Sequence, residues 1–127
     1  MRKQYYFVPS ESGDGFDAWD VDMLVELSSG LPVKQVPVAS IGELDTAHWF
    51  SADGSPFTVR VLVRHIQLVN EVDPSYPIIL GSAGQVMDGM HRVARALLED
   101  RPRIAAVQFE DHPPPDFRNV HPNELPY

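Results

Sequence analysis

The chain contains no cysteine. Disulfides, a thiolate nucleophile and Cys-ligated zinc are therefore excluded. It has no apolar run near the roughly 20 residues that a bilayer-spanning helix needs. The opening MRKQYYFVPS sets two basic residues before no sustained apolar stretch, so no signal peptide is expected. A cytoplasmic location without a membrane partner is the expectation. Positive charge is scarce as well: 10 Lys and Arg stand against 18 Asp and Glu, for a net charge of −8, which argues against a general binder of nucleic-acid backbone. No base interrupts Glu11, Asp14, Asp17, Asp20, Asp22 and Glu26. That run reads as a solvated helix face, or as a surface that repels nucleic acid or docks a basic partner.

What is present fits one α+β domain of 127 residues, a small mixed β-sheet with about three helices, and residues 111–127 form a proline-rich C-terminal extension. Residues 4–8, QYYFV, have strand composition. Residues 16–30 place Phe16, Trp19, Met23, Leu24 and Leu27 near helical spacing, with Gly30 as the stop. Residues 33–40 read as a strand, and Pro37 suggests an edge. Residues 55–73 read as a second helix, capped by Ser55 with Pro56 at its first position, although Val59, Val61 and Val63 also alternate like a strand. Leu62, Ile66 and Val69 would form one face, extended by Val59 and Val63. Residues 76–89 give a hairpin around Gly-Ser-Ala-Gly. A third helix over 89–100 would bury Val93, Ala94, Leu97 and Leu98, and 103–109 would be the last strand. The tail is expected to lack regular structure and to wrap the domain in extended form.

The segment GQVMDGMHRVARALLEDR (84–101) poses a chemical question. It sets His91 and Arg92 where the third helix begins, and cations there oppose the helix dipole by about 0.3–1 kcal/mol each. A bound anion would reverse that cost. Asp88 can cap the first turn, Gly89 permits a close approach, and the amides of Gly89, Met90 and His91 can face oxygens. Arg92 adds a planar fork, and His91 adds a donor or a mobile proton. The alternative is that Asp88 is only a cap and Arg92 only pairs with a nearby carboxylate.

Residues 77–109 resemble the ParB/sulfiredoxin superfamily. The likeness lies in the strand pair IIL…QVM, in DGMHR opening the helix VARALLED, and in the strand IAAVQF; VKQVPVASIGELDTAHWF (33–50) is similar to the early strand and turn of that family. The resemblance implies a nucleotide-phosphate site at Asp88, Gly89, Met90, His91 and Arg92, with Asp88 and His91 in catalytic roles. It implies Mg²⁺ with a nucleotide such as ATP, ADP or CTP as cofactor. Met90 stands where sulfiredoxins carry their reactive cysteine, so that chemistry is excluded. The function expected is a nucleotide-binding domain, with Mg-dependent phosphotransfer or nucleotide hydrolysis as its extension. A non-catalytic protein-interaction module of the same fold is the alternative, acting on a protein partner or as a homodimer; nuclease activity is the weaker one.

Glu43 and Asp45, with His48, fall in the turn after the second strand. The resemblance would place an acid of this region near the nucleotide, as a base or a Mg²⁺ ligand; otherwise Glu43 or Asp45 caps a short helix in a solvated loop. His65 reads as an ordinary, partly buried helical histidine ahead of a ligand, and Trp49 and Phe50 as core residues ahead of a stack on a base. His112 and His121 lie in the tail, and no histidine pair has zinc-site spacing. Arg60 and Arg64, one helical turn apart, form a salt-bridged face or approach a phosphate.

Overall fold

The structure is a computed structural model that describes residues 3–49 and 56–127. The expected cap Ser55 and the expected core residue Phe50 lie outside the described residues. The chain is an α+β domain with two sheets, rather than one, and three α-helices among the described residues.

The first sheet joins both ends of the chain. Strand β1, Tyr5–Pro9, pairs antiparallel with β2, Phe16–Asp20, and β2 pairs on its other side with β7, Phe117–Val120. Two expectations are corrected here. Residues 16–20 are strand and not the first turns of a helix, because Phe16 and Trp19 fit a period of two as well as one of 3.6, and both neighbouring strands supply ladder partners. Gly15 permits the approach: with φ 73°, a Cβ there would lie 2.8 Å from the Val120 carbonyl oxygen. The tail, expected to be irregular, does wrap the domain but is pinned as a strand. The buried Trp19 indole N–H donates to the Pro113 carbonyl at 2.8 Å, and Asp116 N–H donates to the Ala18 carbonyl.

Helix α1, Val21–Ser28, starts only after that strand. The side chain of Asp20 caps it by accepting from Asp22 N–H at 2.9 Å. The chain then enters the second sheet, of order β3-β6-β4-β5. Here β3 is Lys34–Pro37, β4 Ile78–Leu80, β5 Val86–Asp88 and β6 Arg103–Gln108. β3 is an edge, as Pro37 suggested, and β4 and β5 form the expected hairpin about Gly81–Gly84. β4 and β6 run parallel, which makes the sheet mixed.

This sheet is the middle layer. Ile78, Leu80, Val86, Ile104 and Ala106 point to one side, where they pack against helix α3, Met90–Leu98, and against Val38 and Ile41. Ile79, Met87, Val107 and Phe109 point to the other, where they meet Trp19 and Leu24. Alternation along each strand thus builds two cores from one sheet. On α3 the buried residues are Met90, Val93 and Ala96. Leu97 and Leu98, expected inside, are exposed because they sit in the last turn, past the core.

Helix α2 is Val59–Glu71. Its cap is Thr58, whose hydroxyl accepts from Val61 N–H at 3.2 Å, so Pro56 precedes the helix instead of opening it. Its inner side carries the half-buried Val61, His65, Leu68 and Val69. The stripe expected to form one face points mostly to solvent: Val59, Leu62, Val63 and Ile66 are exposed. Arg95 of α3 ties the two helices together by donating to the carbonyls of Asn70 and Val72, the C-terminal end of α2 where a cation is favoured.

Candidate functional site

β5 ends at Asp88, and Gly89 makes the turn into α3. Gly89 is the N-cap, at φ 102°; Asp88 is not, which corrects the capping role expected for it. A side chain at Gly89 would bring Cβ within 2.7 Å of Ile78 Cγ2 and 3.0 Å of Arg92 Nη2. The left-handed turn and the tight fit both require glycine. The turn lets α3 fold back so that Arg92 lies over the strand end. Arg92 Nη2 donates to Asp88 Oδ2 at 3.0 Å. Both side chains are largely buried, at 16% and 19% exposure. Burial raises the Asp88 carboxyl above its ordinary pKa, against the opposing pull of Arg92 and of the Gly89 amide.

The other members of DGMHR go elsewhere. The Met90 side chain is buried in the core. His91 Nε2 lies 2.8 Å from His65 Nδ1, and Trp49 stacks on both rings, with centroids 4.4 Å from His65 and 4.6 Å from His91 and interplanar angles of 10° and 13°. One nitrogen of this pair must donate and the other accept, so the pair as built is not doubly protonated at these atoms. Burial, followed by His65, His48 and Arg92, pushes His91 down to about 4. Burial, then Arg64, lowers His65, and burial lowers His48 against the pull of Glu43.

Asp88, His91 and Arg92 therefore do not converge on one point, as the expectation required. At this corner Asp88 engages the Arg92 guanidinium. Glu43 and Asp45 share the 3-10 turn Gly42–Asp45, but Glu43 Oε2 accepts the Val86 amide at 2.6 Å while Asp45 is exposed. Among the described residues no three His, Asp or Glu side chains group to hold a metal ion. Trp49 and His65 are site members that sequence reasoning assigned to bland roles.

Beside this corner lies a cleft of about 190 Å³. Arg92, Arg101 and Arg103 line it with one acid, Glu99, and with the polar Gln35 and Ser75. Arg101 Nε pairs with Glu99 at 3.0 Å. Arg92 Nε is buried with no hydrogen-bond partner among the described residues. A guanidinium with an unmet buried donor is costly. With the cleft lined by three cations and one acid, it is a local positive field on a chain of net charge −8.

No protein-family model, curated protein or solved structure matches the chain. The class that fold and site define is an α+β domain with an arginine-lined cleft beside a helix start. No helix among the described residues is long and apolar enough to cross a membrane.

Proposed function

We propose that this chain is a binding domain for a phosphate-bearing small molecule of the nucleotide class, held in the cleft of Arg92, Arg101 and Arg103. The observation that carries this reading is a cleft lined by three arginines and one acid on a protein that is otherwise acidic. Guanidinium forks match phosphate oxygens in shape and charge. The resemblance to the ParB/sulfiredoxin superfamily points to the same ligand class, and Arg92 of the DGMHR turn lines this cleft. Mg²⁺, where it takes part, would arrive on the phosphates of the ligand. The reading is one of binding, since Asp88 and Glu43 are both engaged and Asp45 stands exposed on its turn.

The test is thermal melting and calorimetric titration with pyrophosphate, ATP, ADP, CTP and GTP, each with and without Mg²⁺. A ligand at one hundred times its Kd stabilises the fold by about 2.7 kcal/mol, a rise of several degrees for a chain of this size. The rise should vanish in the Arg101→Gln, Arg103→Gln double variant. Unchanged melting with every phosphate at millimolar concentration overturns the proposal.

A further inference from the structure

Helix α2 carries two apolar stripes where a surface helix needs one. The inner stripe faces α3. The outer stripe, Val59, Leu62, Val63 and Ile66, recurs at the spacing of a helix–helix seam, and Val59 is 78% exposed. Arg60 and Arg64 flank it, and among the described residues neither is in an ion pair. Helix α1 has the opposite character. Met23 and Leu27 are exposed one turn apart, 41% and 56%, and Asp22 and Glu26 flank them at the same four-residue spacing. Asp22 meets Lys3 but keeps an 80% exposed side chain.

We propose that the outer face of α2 docks on α1 of a second copy of this chain, so that copies associate head to tail. Charge selects this occupant. A contact of α2 with α2 would bring four arginines together, and one of α1 with α1 would add four carboxylates to a surface that is already acidic. Only α2 on α1 sets Arg60 and Arg64 against Asp22 and Glu26 while covering apolar side chains on both helices. The contact is heterologous: a pair of copies keeps one free α1 on one member and one free α2 on the other, and the assembly grows into a ring or a filament. The inference is independent of the phosphate reading, as it uses none of the cleft residues.

The test is sedimentation velocity on the full chain from about 10 µM to about 1 mM, at low and at high salt. The expected result is a mass that rises with concentration and falls with added salt. Two charge reversals sharpen it: Arg60→Glu with Arg64→Glu, and Asp22→Arg with Glu26→Arg. Each reversed protein alone should associate at least tenfold more weakly than the wild type, and an equimolar mixture of the two should recover the association, because reversed α2 then meets reversed α1. Circular dichroism of each variant checks that it is folded. A wild-type chain that stays monomeric at 1 mM overturns the proposal and assigns the stripe to a different protein. Association indifferent to the reversals, or not recovered on mixing, overturns it equally.

Discussion

Acid should destabilise this protein through His91 before the ordinary carboxylates are reached. His91 is partly buried beneath Trp49, shares a hydrogen bond with His65, and titrates at about 4 in place of 6.5. The unfolded chain therefore takes up a proton that the folded chain refuses. The contribution is complete above pH 6.5 and is lost as pH falls toward 4. Linkage places the loss at about 2 kcal/mol between pH 7.5 and pH 5, and at about 3 kcal/mol below pH 4. Against a total stability of roughly 5–15 kcal/mol this is a large fraction. Urea unfolding followed by tryptophan fluorescence measures it, with His91→Phe as the reference, since phenylalanine keeps an aromatic ring against Trp49 and removes the titration. The variant loses the hydrogen bond to His65, so its stability is lower at every pH, but its loss between pH 7.5 and pH 5 should be about 2 kcal/mol smaller than that of the wild type. Equal pH dependence in the two proteins would refute the reasoning, and so would an imidazole NMR titration of His91 with a midpoint near 6.5.

Two further perturbations test the scaffold around the site. Gly89→Ala combines a left-handed φ of 102° with a Cβ only 2.7 Å from Ile78 Cγ2, and should cost at least about 2 kcal/mol in chemical denaturation, whereas Gly13→Ala, with nothing within 4 Å, should cost only the backbone strain. Removing residues 113–127 deletes β7 and the acceptor of the Trp19 indole, so the truncated chain should melt lower and emit red-shifted tryptophan fluorescence, and an unchanged melting curve would show that the tail is not part of the fold.

Local signals made the middle of the fold legible. Gly-Ser-Ala-Gly between IIL and QVM carries its own turn chemistry, and residues 89–100 have a helical period of their own, so the β4–β5–α3 unit follows from short-range physics. Residues 16–20 do not carry such a signal. Their aromatics suit a strand or a helix, and the decision rests with β1 and with β7, about 100 positions downstream, whose pairing no local pattern announces. The inner face of α2 is ambiguous in the sequence for a related reason. Both of its stripes have helical spacing, and what turns Val61, His65 and Leu68 inward is contact with α3 and Trp49.

The candidate site divides along the same line. Asp88 and Arg92 are four residues apart, so their ion pair could be anticipated, and it resolves why an arginine tolerates the helix start: the cation is compensated from within the chain. Trp49, His65 and His91 come from three separate elements, and nothing in their spacing of 16 and 26 residues brings them together. The internal compensation also has a consequence for binding. Asp88 occupies the guanidinium that a phosphate in the neighbouring cleft would use, so the carboxylate competes with the ligand. Asp88→Asn keeps the side chain's shape and removes its charge, and burial already disfavours that charge. If the cleft is the phosphate seat, pyrophosphate should bind Asp88→Asn several-fold more tightly than the wild type, in the direction of the tenfold that about 1.4 kcal/mol represents. Weaker binding would mean that Asp88 aims Arg92 at the ligand instead of withholding it, and the competition argument would then be wrong.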